Sequence, residues 1–186
     1  MAKQIGPIDY KKYLSEKRSC IICNSNNFWL WCKADIFDVV QCINCGLVFV
    51  NPCLNEEGLG LVYLNHHNKR IEDREECDKR EEMYQIDRDF LLEIIDEGKI
   101  LDIGCGGGFF LAKFNSKKWK RYGVEIDKDT TSYAKENFET DVCLWDSKTI
   151  PFKDNLFNVV VFRGSFEHMI NPHLVAVEVK RVLKSN

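Results

Sequence analysis

Residues 101–110 read LDIGCGGGFF, and this stretch decides the fold. A buried apolar run from Lys99 to Ile103 carries Asp102, and Gly104, Gly106 and Gly108 follow at alternate positions. Glycines in a strand-to-helix turn let backbone approach a ligand closely, where any Cβ would obstruct it. About twenty residues on, a second strand ends at Glu125 in YGVEID, where a carboxylate can accept both hydroxyls of an adenosine ribose. A dinucleotide loop requires G-x-G-x-x-G, but the third position falls on Phe109 or Leu111, so neither register fits. Asp102 would also repel a pyrophosphate. It suits a ligand carrying an ammonium group, such as the methionine end of S-adenosylmethionine.

Beyond the loop, apolar runs and amphipathic stretches alternate. A helix is expected over Gly108 to Ser116, a strand over Arg121 to Ile126 and a helix over Thr130 to Phe138. Further strands are expected over Val142 to Trp145 and Phe157 to Phe162, and Asn171-Pro172 opens a last helix to about Leu183. Strands alternating with helices imply a parallel sheet covered on both faces.

Residues 98–184 resemble a class I S-adenosylmethionine-dependent methyltransferase domain of the small-molecule type. The resemblance rests on LDIGCGGG, GVEID, DSKTIPFKDNLFNVVVF, FEHMINP and VKRVLK. It implies that Asp102 and the loop Gly104, Cys105, Gly106 hold the methionine part and that Glu125 binds the ribose. It further implies that Ile126 lies on the adenine and that Asp146, with Ser147 beside it, meets the exocyclic amine. Arg163, through its backbone carbonyl, would face the methionine ammonium. Asn158 stands where the family carries Asp, which is read as a structural detail. Such sheets have seven strands and only four are readable here, so a Rossmann-like α/β sheet truncated after its fourth strand is expected. A place that often reads N/D-P-P-Y/F in nucleic-acid base amino-methyltransferases reads Arg163-Gly164-Ser165-Phe166, which disfavours that chemistry.

Upstream, Cys20-x-x-Cys23 and Cys42-x-x-Cys45 are separated by eighteen residues. Two such pairs fit a tetrahedral thiolate site for zinc, and four thiolates close the shell, so a bound Zn2+ is expected to be structural. Asn24 and Gly46 sit where knuckle turns need relaxed backbone. The run CINCGLVFVNPCLNEEGLGLVY resembles the N-terminal zinc ribbon of many methyltransferases. Nine cysteines cannot all pair, and Cys32, Cys53, Cys77, Cys105 and Cys143 show no spacing pattern, so they are read as ordinary small residues. Three zones follow: a zinc-ribbon module over 1–54, a charged helical connector over 55–97 centred on KRIEDREECDKREE, and the cofactor-binding domain over 98–186.

His168 falls just after the fourth strand, at the end of the sheet where ligands bind. It is the candidate general base or acceptor contact, against the plainer reading of a histidine that packs its loop. His66, His67 and His173 are expected to lie exposed. With net charge −3 and no basic stripe interleaved with aromatics, a small-molecule or sugar-type acceptor is preferred to nucleic acid. An RNA methyltransferase gripping its substrate by the ribbon stays open, as does a non-catalytic binding or assembly module. The N-terminus has no apolar signal core and no eighteen apolar residues run together, so no membrane partner and a cytoplasmic address are expected.

Overall fold

The computed structural model describes residues 8–62 and 74–185, the side chains of 74–79 excepted. The chain forms two compact units, divided between Arg70 and Ile71.

In the N-terminal unit, β1 (Phe28–Ala34), β2 (Phe37–Cys42) and β3 (Val48–Val50) form an antiparallel sheet in that order. The aromatic and β-branched runs at Phe28 and Leu47 predict β1 and β3, whereas no pattern marks β2. Its FDVVQC run is joined to β1 by a tight turn at Asp35, whose φ is +52°. The sheet is too small to bury a core of its own: Trp29, Leu30 and Trp31 are each about half exposed. Cys20 and Cys42 are among the few fully buried side chains of its described residues. A unit with so little apolar interior needs cross-links, which the cysteine knuckles are placed to supply.

The C-terminal unit is built on a parallel sheet in the order β6-β5-β4-β7. Its strands are β4 (Gly98–Ile103), β5 (Trp119–Glu125), β6 (Asp141–Leu144) and β7 (Val159–Val161). Helix α1 is Arg74–Leu92, α2 is Lys128–Asn137 and α3 is Pro172–Val182. This is the Rossmann-like α/β arrangement expected from the strand–helix alternation. Caps fix the helix starts: Asp127 accepts from Thr130 N–H, and Asn171 accepts from Leu174 N–H ahead of Pro172. After α3 the chain returns to the sheet, where Leu183 bridges Phe157 in parallel and Lys184 N–H donates to Phe157 carbonyl at 2.9 Å.

The period of two along β4 sorts the core into two faces. Ile100 packs with Phe110, Phe114 and Trp119, joined by Val159 and Val161 of β7 and by Tyr84 and Leu91 of α1. Leu101 and Ile103 pack on the other face with Trp145, Phe157 and Val182. Helix α1 therefore clusters with the sheet. Within the stretch expected as a solvated connector, Tyr84 and Leu91 lie on one helical face and bury against the β4 side.

Gly108 to Ser116, expected as a helix, forms turns and one 3-10 segment, Leu111–Lys113. Positive φ angles at Gly104, Gly106 and Gly108 keep the backbone out of the right-handed helical region, and Phe110 and Phe114 then anchor the segment in the core. The side chain of Asn158 ties both sides of β7 together, since Oδ1 accepts from Lys99 N–H at 3.1 Å and from Lys184 Nζ at 3.0 Å. No helix among the described residues is long and apolar enough to cross a membrane.

Candidate functional site

Strand order reverses at β4, with β5 on one side and β7 on the other, and the carboxyl ends of β4 and β7 open the crevice where ligands bind in such sheets. Ser165, just beyond β7, donates from Oγ to the Ile103 carbonyl at 2.5 Å and closes the base of this crevice. Gly104 lies against it with φ +74°, and a Cβ there would stand 2.7 Å from Ser165 Cβ. Only glycine fits, for steric and torsional reasons alike. Sequence reasoning does not single out Ser165, because its partner is sixty-two residues away.

Glu125 is 4% exposed and its carboxylate is fully organised. Oε2 accepts from Gly106 N–H at 2.9 Å, and Oε1 accepts from Ile126 and Asp127 N–H at 2.7 and 3.2 Å. The glycine loop and the end of β5 are thus held by one side chain. Asp102 is 2% exposed, and its Oδ1 has no hydrogen-bond partner among the described residues. Burial pushes its carboxyl up to about 7, against the opposing pull of the Arg163 charge and with a further push from Glu125. A buried acceptor without a donor, at the mouth of a glycine loop, is suited to a ligand cation. Cys105 is buried behind the loop, its thiol pushed upward by burial and by the two carboxylates.

The other candidates lie at the same end of the sheet. Ile126 is 38% exposed and presents an apolar surface after β5. Asp146 is exposed; its Oδ1 accepts from Lys148 and Thr149 N–H, which holds its carboxyl below the usual range. Ser147 beside it has φ +61°. His168 ends the 3-10 turn Phe166–His168 and is exposed, its backbone N–H donating to the Ser165 carbonyl at 3.1 Å. Arg163, expected to act through its carbonyl, has a side chain held by its neighbours. The guanidinium lies over the rings of Tyr84 and Phe110 at 4.5 and 5.0 Å and pairs with Asp87 at 2.8 Å. Tyr84 and Asp87 belong to a helix in which no local motif marks them.

In the N-terminal unit, the sulfurs of Cys20, Cys23, Cys42 and Cys45 all lie within 4.8 Å of one another, with the Cys20–Cys45 and Cys23–Cys42 pairs at 3.5 Å. A tetrahedral Zn–S4 centre with bonds of about 2.3 Å has sulfurs about 3.8 Å apart, so the donor set fits such an ion. Each knuckle closes as the spacing predicts. Asn24 N–H donates to Cys20 carbonyl and Gly46 N–H to Cys42 carbonyl, with φ of +57° and +78° at the turning residues. Burial raises the Cys42 thiol, but the amides of Cys45 and Asn44 outweigh it and bring the group down to about 6, while, against the Leu47 amide, burial and the neighbouring sulfurs push Cys45 up to about 12. His66 and His67 lie outside the described residues, as does the side chain of Cys77. His173 is exposed, Cys32 is exposed, and Cys53 and Cys143 are half-buried.

Residues 101–186 match the methyltransferase domain family. The match begins at the last buried positions of β4 and takes in the glycine loop, Glu125, Asp146 and His168. The chain is also 34% identical over 107 residues to the uncharacterized protein MJ1123 of Methanocaldococcus jannaschii, an alignment covering 58% of this chain. It spans half the length of that relative. Among solved structures, the PH0226 protein from Pyrococcus horikoshii OT3 superposes with TM-score 0.52 at 27% identity, covering 62% of this chain and 56% of its own. A Methanococcus maripaludis protein named as an S-adenosyl-L-methionine-dependent methyltransferase shares the fold, with TM-score 0.52 at 23% identity over 60% of this chain and 57% of its own.

Proposed function

We propose that this protein transfers a methyl group from S-adenosylmethionine to a small-molecule or sugar-type acceptor, with a structural zinc ion in its N-terminal ribbon. The observation that carries the reading is the set of three features at the sheet's switch point: the Gly104–Gly106 loop, the orphaned Asp102 carboxylate and the amide-held Glu125. In this reading Asp102 takes the ammonium of the methionine end, and the backbone of Gly104, Cys105 and Gly106 runs along it. Glu125 keeps lone pairs for the ribose hydroxyls while its amide bonds hold it still. Ile126 lies on the adenine, Asp146 and Ser147 meet its edge, and the Arg163 carbonyl faces the ammonium. The bound cofactor supplies a sulfonium methyl that is electrophilic without activation. What remains for the chain is to hold an acceptor in line, and in this reading His168 takes a proton from an acceptor hydroxyl.

Around a bound zinc ion Cys20, Cys23, Cys42 and Cys45 would close the shell and leave no position for a substrate, so the metal would serve to replace the core that the ribbon lacks. A second reading draws on Trp29 and Trp31, packed edge-to-face 5.7 Å apart and half exposed: they would stack the bases of an RNA acceptor. Salt-dependent retardation of RNA would favour it over the small-molecule reading.

Calorimetric titration of S-adenosylmethionine into the zinc-loaded chain tests the cofactor assignment, with Asp102→Asn as the control. Binding that the variant weakens at least tenfold is expected. Heat indistinguishable from dilution at millimolar ligand would overturn the proposal. Glu125→Ala is a poor control, since it also releases Gly106, Ile126 and Asp127.

A further inference from the structure

The face of the sheet that carries Asp102 also carries Arg163. Ile100 and Asp102 alternate with Leu101 and Ile103 along β4, and Val159 and Val161 of β7 share the Ile100 face. Asp102 is paired in register with Val161, so continuing the alternation by two residues brings Arg163 out on the Asp102 side. Its side chain is 18% exposed, and the guanidinium is held on three sides, by Tyr84, Phe110 and the Asp87 carboxylate. The Asp87 bond uses Nη2. The other terminal nitrogen, Nη1, is buried without a hydrogen-bond partner among the described residues. Asp102 Oδ1 is the complementary orphan, within the field of the same guanidinium but not bonded to it.

Leaving one arm of a guanidinium and one oxygen of a carboxyl buried without partners is costly, and a fold that could bring them together would do so. Here Tyr84 and Asp87 hold the guanidinium from the α1 side, away from Asp102. The group that satisfies both orphans at once carries an anion and a cation on neighbouring atoms. An α-amino acid end is such a group.

We propose that the Arg163 side chain receives the α-carboxylate of S-adenosylmethionine while Asp102 takes the ammonium, and that Asp87 and Tyr84 of α1 are positioning residues for that arginine. The inference rests on the cofactor reading above and adds to it a specificity determinant in the Arg163 side chain. It also gives helix α1 a part in cofactor recognition. Tyr84 and Asp87 lie three residues apart on one turn, so both reach the same guanidinium from a single helical face.

Calorimetry on the full chain with two ligands separates the possibilities: S-adenosylmethionine, and its decarboxylated form, which keeps the ammonium and the adenosine. The wild type is expected to prefer S-adenosylmethionine by about tenfold to hundredfold, the range for one charge-assisted hydrogen bond. Arg163→Gln should bring the two ligands within about threefold of each other by weakening only the first, and Asp87→Asn should give an intermediate preference. Wild-type chain that binds both ligands alike overturns the Arg163 assignment and leaves the cofactor reading standing. Wild-type chain that binds neither overturns both. If Arg163→Gln loses both ligands, Arg163→Lys decides, because it keeps the charge: a retained preference supports the assignment and equal affinities overturn it.

Discussion

Replacing Asp102 with Asn should make the C-terminal unit more stable at pH 8 and leave it nearly unchanged below pH 4. In the unfolded chain this carboxyl titrates near its ordinary 3.8, whereas burial in the folded state raises it to about 7. A raised folded value means that the native state holds the proton more tightly, so stability is complete below pH 4. It is lost as pH rises towards 7, then levels off. At about 1.4 kcal/mol per tenfold change in acidity, keeping the carboxylate charged at pH 8 costs the fold about 4 kcal/mol. Asparagine is nearly the same shape and carries no charge to desolvate. For a unit of this size that difference corresponds to a melting shift on the order of 10 °C. Scanning calorimetry of both proteins from pH 3.5 to 8, without ligand, gives the difference curve directly, and every other titrating group cancels from it. The expected curve climbs from about pH 4 to about pH 7 in favour of Asp102→Asn and is flat above. A flat difference would mean that Asp102 ionises normally in the native state, and the argument for an orphaned acceptor awaiting a cation would fail.

Glu125→Ala strands three backbone donors, at about 1–3 kcal/mol for each one buried, so a fall in melting temperature on the order of 10 °C or more is expected in a thermal scan. Gly104→Ala combines positive-φ strain with a 2.7 Å clash against Ser165, and should cost about 2–4 kcal/mol in denaturant titrations; paired with Ser165→Ala the loss should stay close to that value, since Cβ remains in place. Cys42→Ser should abolish retention of one equivalent of zinc on elemental analysis, and chelation of the wild type should unfold the ribbon while the calorimetric transition of the C-terminal unit persists. Asn158→Asp should be close to neutral at pH 8, because the carboxylate keeps its bonds from Lys99 N–H and Lys184 Nζ.

Much of the fold is legible along the chain because its determinants are local. Glycines next to a buried strand, a carboxylate ending the next strand, an Asn-Pro helix start and two C-x-x-C knuckles each act within a few residues of themselves. The four parallel strands and the four-sulfur cluster lie where those signals put them. Local reading fails at Gly108 to Ser116, where an apolar run suggests a helix. Three positive-φ glycines and the burial of Phe110 and Phe114 produce a 3-10 turn instead. It misses β2 because that strand is defined by pairing with β1 and β3 rather than by alternation of its own.

Residue type and spacing were enough to locate the glycine loop at the end of β4 and the two cysteine knuckles, because each is a property of one strand end or one turn. Folding in three dimensions settled that Asp102 Oδ1 is left without a donor among the described residues, that Glu125 is tied to Gly106 across nineteen residues, and that α1 lays Tyr84 and Asp87 against Arg163. Those relations join residues brought together by sheet register and helix packing, where contact depends on position in space and no interval along the chain encodes it.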